Sequence, residues 1–346
     1  MKKESFIHHT RVCVKRYKGQ KGINGHKMKY LGDGIRLLKR TAKNWGSPFF
    51  PFFIRFLWTF IRHGEISAEY YVGAELYKYN GAEKKRHLSV RRAFYLDYKF
   101  NIEASIAEEN KTHFKNQFNA CYKKFIKRGW IYPREATKEE VRSFIMKHEK
   151  VLCKPNGGTN GHGLFILTKD NITDEILESL KEKDLIVEEF IKQCETMAKL
   201  HEKSVNTLRI FTVIDRDGNV HIDYPQPYLR VGTGDGIADN THAGGLYYMV
   251  DSETGIVYTR GKSASILTKF ICHPGTDIVM LGFKVPKYKE ICTMIKEAAK
   301  VIPHLRYVGW DVAITDNGPE LIEGNVSYAG NMSDGDGIYR QTKKYL

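Results

Sequence analysis

Near the carboxyl end the chain reads GWDVAITDNGPELIEGN, residues 309–325, two strand-like runs on either side of Asp316, Asn317 and Gly318. A segment of this kind is restricted to an antiparallel hairpin, and the period of two then dictates which side chains share a face. With a three-residue turn, Thr315 opposes Pro319 and Asp311 opposes Glu323, while Asn325 joins Glu323 on the same face. Directly opposed carboxylates repel. A divalent cation removes the objection. Mg²⁺ takes hard oxygen donors, uses one or two protein carboxylates and leaves its other positions to water and substrate phosphates. The competing reading is a solvent-facing acidic hairpin of no chemical consequence. Asp311, Glu323 and Asn325 are the candidate metal ligands.

With 346 residues the chain exceeds one ordinary core, and 42% apolar content with 12% aromatics is that of a folded protein. Its charge is unevenly placed. Residues 1–150 hold 33 Lys and Arg against 14 Asp and Glu, leaving 22 against 26 for residues 151–346. A basic first half suits an anionic partner: an acidic glycan, a phosphorylated substrate, nucleic acid or an anionic membrane surface. Six scattered cysteines without a C-x-x-C pair argue against a disulfide framework or a zinc site. The amino end starts positively but lacks the apolar stretch of a signal peptide, so a cytoplasmic protein is expected.

Residues 1–45 are basic and glycine-rich with weak periodicity. The run PFFPFFIRFLWTFIRHG follows, too short for a bilayer span, which needs roughly 20 residues. Two readings stand: a buried helix of the amino-terminal region, or an interfacial helix over 49–62 with Arg40, Lys43, Arg55 and Arg62 near anionic head groups. From Ala68 to Arg128 the pattern predicts helices over AEYYVGAELYKYN and IEASIAEENKTHFKNQFNACYKKFIKRG, the second stopping at Gly129. TKEEVRSFIMKH reads as a capped helix with Thr137 at the N-cap and Glu140 as its capping-box partner. Strands dominate thereafter: VLCKP, GLFILT, DLIVEEFI, VNTLRIFTVI, VHIDYPQPYLRV, GGLYYMV and the final hairpin, with helices EILESLKEK and YKEICTMIKEAAKVI between them. An α+β or mixed α/β fold with much antiparallel pairing is expected.

Lys154 ends the strand VLCKP, immediately before NGGTNGHG, and the chain returns as GLFILT. A strand, a glycine loop and a second strand make a hairpin whose backbone N–H groups can fold over phosphates, with Gly157, Gly158, Gly161 and Gly163 supplying the freedom. Walker and Rossmann loops open a helix instead, and a protein kinase carries its lysine on a later strand. The plain alternative is a mobile glycine hairpin. Further on, main-chain groups of Glu188, Glu189, Phe190 and Ile191 could bond an adenine edge, with Ile186 and Phe190 on its faces, or the segment is an ordinary strand ending in Glu. Arg209 and Arg230 lie at a strand start and a strand end, where guanidinium groups can hold a γ-phosphate or an acyl phosphate; His242 either positions a substrate group or caps a loop.

In this order the pieces resemble the ATP-grasp superfamily, and most closely its sugar-transfer-associated branch related to α-L-glutamate ligases. The matching residues are Lys111 in ENKTHF, Lys154 with its glycine loop, VEEFI, SVNTLRI, HAGG and the D…E-G-N motif, over about residues 105–331. The resemblance implies an α+β ATP-grasp fold, two subdomains gripping ATP. It divides the chain into a basic, mainly helical region 1–104, a small lid subdomain 105–190 and a large subdomain 191–346 with the metal site. It also implies Lys111 and Lys154 on the phosphates, residues 188–191 on adenine, and Mg²⁺ at Asp311, Glu323 and Asn325. The implied activity is an ADP-forming carboxylate–amine ligase, joining an amino acid or amine to a uronic-acid sugar in cell-surface polysaccharide (capsule) biosynthesis. A polyol kinase and a non-catalytic, membrane-associated binding module are the alternatives. Nucleic acid is disfavoured because regular basic–aromatic interleaving is missing.

Overall fold

A computed structural model describes residues 27–64, 68–157, 163–236, 239, 244–263, 269–326 and 338–346. Residues 1–26, the loop glycines Gly158 and Gly161, and His242 lie outside the described residues.

Two antiparallel sheets carry the chain, as expected of an α+β fold. The smaller has the order β1-β4-β2-β3, from β1 (Trp130–Ile131), β2 (Lys150–Pro155), β3 (Phe165–Thr168) and β4 (Leu185–Glu189). Helices Lys138–Met146 and Asp174–Glu182 cover one of its faces, burying Val141, Ile145, Leu177 and Leu180 against Val151, Cys153 and Val187. The first of these helices begins as the sequence predicts: Thr137 Oγ1 accepts from the Glu140 N–H at 3.2 Å, and Glu140 Oε2 accepts from the Thr137 N–H at 2.8 Å. The other face, bearing Lys154, Ile186 and Glu188, turns toward the larger sheet.

That sheet runs β10-β9-β5-β7-β8, with β6 pairing to β5. Its strands are β5 (Thr207–Ile214), β6 (Val220–His221), β7 (Tyr228–Val231), β8 (Leu246–Met249), β9 (Tyr307–Thr315) and β10 (Gly318–Asn325). The single stretch VHIDYPQPYLRV divides into β6 and β7 around a cis Tyr224–Pro225 bond. Every residue of β5 and β9 is buried, because both faces are covered. Helix Tyr288–Ala299 packs on one side against Ile210, Trp310 and Val312. On the other, helix Val90–Phe100 places Leu96 and Phe100 against Phe211, Val213 and Tyr307. Alternation therefore sends Trp310 and Val312 into the main core, and Asp311 to the opposite face.

Both long predicted helices are interrupted. AEYYVGAELYKYN is a helix Ala68–Gly73 and a short 3₁₀ turn Leu76–Lys78, separated where Glu75 takes φ +52°. The other becomes helices Ile106–His113 and Lys115–Cys121, ending well before Gly129. Phe114 between them is extended (φ −92°, ψ 125°). The restarted helix is capped from a distance: the Lys115 and Asn116 N–H groups donate to the main-chain and side-chain oxygens of Asn156, both at 3.0 Å. Tertiary hydrogen bonds thus replace the helix continuation that local periodicity favours.

Candidate active site

The final hairpin sets one side of the site. Asp311 faces Glu323 and Gly309 faces Asn325, the pairing the sequence predicts. The turn differs. Asp316 and Asn317 alone form it, with Gly318 opposite Thr315 at φ +104°, a conformation that favours glycine. That register alone would set Ile322 against Asp311. A bulge between Leu321 and Glu323 supplies the missing residue and returns Glu323 to its partner.

Register carries the same face across four strands. Arg209 on β5 is opposite Asp311, and Arg230 on β7 is opposite Thr207, two residues from Arg209. Asp311 consequently receives both guanidinium groups. Arg209 Nε donates to its Oδ1 and Nη2 to Oδ2 at 3.0 Å, while Arg230 Nη2 reaches Oδ2 at 2.7 Å. Arg230 Nε also donates to Thr207 Oγ1 at 2.9 Å, and the guanidinium lies 3.4 Å from Asp239. Burial opposes ionisation of Asp311, but Arg209 and Arg230 outweigh it and hold the carboxyl far below its usual range. Glu323 shifts the other way: burial and then the Asp311 charge raise it. Asn325 Nδ2 stands 3.3 Å from Glu323 Oε1. Two close buried carboxylates divide in this way, one ionised and its neighbour held toward the neutral form.

These oxygens suit Mg²⁺. Among the described residues no group of three or more His, Cys, Asp or Glu is arranged to hold a metal. Two carboxylates and an amide fall outside that pattern yet match the small protein share that Mg²⁺ takes. The two arginines occupy only part of the lone-pair capacity of Asp311.

Two lysines lie beside this cluster and the smaller sheet: Lys154 on β2, and Lys115 on the helix Lys115–Cys121, within the fields of Glu323 and Glu188. Lys154 Nζ lies 2.6 Å from Glu188 Oε2. Burial lowers the Lys154 ammonium to about 8, against the pull of Glu188. Glu188 in turn accepts from Asn119 Nδ2 at 2.8 Å and from Arg128 Nε at 2.8 Å. Arg128, its side chain 1% exposed, also donates through Nη1 to Glu320 Oε1 at 2.7 Å and to the Leu321 carbonyl at 2.8 Å. One arginine therefore joins β4 to β10 at the residue preceding the bulge.

Placement of the remaining candidates is mixed. Lys111 is exposed, and its charge acts on Cys121. Lys115 instead lies within the fields of Glu323 and Glu188. The break at Phe114 is the reason, since on one continuous helix the two lysines would share a face. Helical spacing alone therefore gives no local signal that separates Lys115 from Lys111. Glu188 and Glu189, expected at the adenine edge, are the last two residues of β4. Glu188 lies inside the sheet between Trp130 and Leu152, and the Glu189 N–H donates to the Gly129 carbonyl at 2.9 Å, so only Phe190 and Ile191 lie beyond β4. Ile186 is fully buried, and Lys150 Nζ sits 4.9 Å from the Phe190 ring centre. Gly157 abuts the Phe114 ring, and Gly163 has φ +76°.

A search of curated proteins found no match. Several solved structures are similar to the chain, among them one described as an ATP-grasp ligase. The ligase PsnB, complexed with a phosphomimetic precursor variant, Mg and ADP, shares 13% identity with a TM-score of 0.41 over 68% of this chain and 59% of its own. D-Alanine-D-alanine ligase from Helicobacter pylori shares 10% with a TM-score of 0.42, over 70% and 63%. An ADP complex of N5-carboxyaminoimidazole ribonucleotide synthetase shares 11% with a TM-score of 0.42, over 66% and 51%. The chain thus covers less than two thirds of each. Residues 83–344 match the family described as sugar-transfer associated ATP-grasp, three quarters of the chain, and the protein belongs to that family.

Proposed function

We propose that the protein is an ADP-forming carboxylate–amine ligase that activates its acid as an acyl phosphate. What supports this most is the facing of two charge sets: Arg209 and Arg230 with Asp311, Glu323 and Asn325 on one sheet, and Lys154 on the other with Lys115 at its side. Phosphoryl transfer asks a protein chiefly to position its reactants and neutralise charge.

Lys154 and Lys115 would hold the nucleotide phosphates, with Phe190 and Ile191 at the adenine. The glycine loop, with Gly157, Gly158, Gly161 and Gly163, would fold over them and exclude water. Mg²⁺ bound at Asp311, Glu323 and Asn325 would supply charge neutralisation on the phosphate oxygens. A substrate carboxylate oxygen attacks the γ-phosphorus, the bond to the bridging oxygen breaks, and ADP leaves with the electron pair. Arg209 and Arg230 would hold the acyl phosphate that results, with His242 near the second substrate. An amine nitrogen then attacks the acyl carbon, the bond to phosphate oxygen breaks, phosphate departs, and the nitrogen loses its proton.

The sugar-transfer association of the family favours a uronic-acid sugar as the acid and an amino acid or amine as the acceptor, in capsule or other surface-polysaccharide biosynthesis on the cytoplasmic side. The basic first half suits an acidic glycan precursor. Hydroxylamine incubated with enzyme, ATP, Mg²⁺ and a panel of uronic acids should yield a hydroxamate and ADP. A phosphorylated product without hydroxamate would establish the polyol-kinase alternative, and AMP would replace γ-phosphate activation by adenylation.

A further inference from the structure

The helix Phe49–His63 has two apolar sides. Phe52, Thr59 and His63 face the chain's own amino-terminal core. On the opposite side Phe50, Ile54, Leu57, Trp58 and Ile61 recur at helical spacing and are 70%, 49%, 39%, 60% and 66% exposed. Isolated exposed apolar residues are ordinary, whereas a continuous stripe of five along a helix marks a surface that is covered in use.

The surrounding charge identifies the cover. Arg55 and Arg62 are exposed on one flank of the stripe, and Lys39 from the neighbouring helix Lys27–Asn44 lies 5.4 Å from the Phe49 ring centre. Arg36, Arg40 and Lys43 are also exposed along that helix. Residues 27–64 contain eight Lys and Arg against the single Asp33. Trp45, 41% exposed, carries the Arg55 guanidinium 5.4 Å from its ring centre, the pairing of aromatic and cation found at lipid head groups. Fifteen residues extend only about 22 Å, less than the roughly 30 Å of a hydrocarbon core, and among the described residues no helix is long and apolar enough to cross a membrane. A helix of these properties lies in the plane of the interface.

We propose that this face docks on an anionic lipid bilayer, with Phe50, Ile54, Leu57, Trp58 and Ile61 among the acyl chains and the flanking cations against the head groups. The inference stands apart from the ligase reading, since binding to lipid needs no turnover. It would bring the enzyme to acceptors carried on membrane lipids.

Flotation of the full chain with phosphatidylcholine vesicles, with and without phosphatidylglycerol, tests it. Binding is expected to the anionic vesicles only, to weaken as salt is raised, and to fall roughly tenfold or more in Phe50→Glu with Trp58→Glu, a pair exposed enough to leave the fold intact. Phe53 is not used because it packs on the amino-terminal core. No binding by the wild type, equal binding to neutral vesicles, or binding unchanged in the double variant would overturn the proposal. So would sedimentation as a dimer that the double variant returns to monomer, since the stripe would then cover a second copy.

Discussion

The two sheets present charge to the candidate site in different ways. Around Arg128 every guanidinium nitrogen has a partner: Glu188, Glu320, the Leu321 carbonyl and Asn119. Around Asp311 two guanidinium groups meet one ionised carboxylate, and Glu323 beside it is driven toward its neutral form by burial and by its neighbour. The first arrangement fastens β4 to β10, and the second gathers two cations and two acids on the face of one sheet. Both are buried and both centre on arginine, so burial and residue type alone would not have separated them. The sharing of partners does: Arg128 ties a residue of one sheet to a residue of the other, whereas Arg209, Arg230, Asp311 and Glu323 all belong to one sheet.

If that contrast is right, the two clusters should fail differently when cut. Arg128→Met should lower unfolding stability by about 3–5 kcal/mol, since Glu188 and Glu320 would remain buried without their shared cation. Urea denaturation measures this, and a loss below about 1 kcal/mol would mean that the network relaxes and fastens nothing. Glu323→Gln should behave in the opposite manner. It should cut ATP turnover by about 10²–10³-fold, and Asp311→Asn likewise, while for Glu323→Gln the midpoint in urea holds or rises. Turnover near the wild-type rate would remove the metal-site claim.

The smallest effect belongs to Lys154, which is paired with Glu188 of the first cluster. Its charged form prevails below about 8 and is lost as pH rises through that value. Nucleotide affinity by calorimetry should therefore be greatest near neutrality and fall severalfold toward about pH 9.5, bound phosphates moving the transition upward. Lys154→Ala should bind roughly 1–3 kcal/mol more weakly at neutrality and show a flatter profile. An equal pH dependence in both proteins would assign the titration elsewhere.

Much of the site was legible because short-range rules suffice for it. Period-two alternation put Glu323 and Asn325 on one face, a three-residue turn set Asp311 opposite Glu323, and the capping box at Thr137 needed only residues three apart. The turn itself was misjudged by one residue, and the bulge after Leu321 restored the count. Arg128 was invisible as a functional residue. Its partners Glu188 and Glu320 lie 60 and 192 positions away, and within FIKRG it reads only as a basic helix end. The aromatic run at 49–61 left a buried and an interfacial helix both open, the buried one favoured by its length, since composition does not say which side a neighbour covers.

The sequence by itself determined the α+β class, the strands that carry charge and the donor chemistry of each site residue, because alternation, capping and side-chain chemistry are local properties. Only the tertiary structure decided that Lys115 enters the site while Lys111 stays in solvent, and that Arg128 fastens the two sheets. It also decided that a stripe of the Phe49–His63 helix is left uncovered. Each of these depends on which groups meet across the fold: Asn156 capping a helix forty residues earlier, or a carboxylate from another sheet claiming a buried cation.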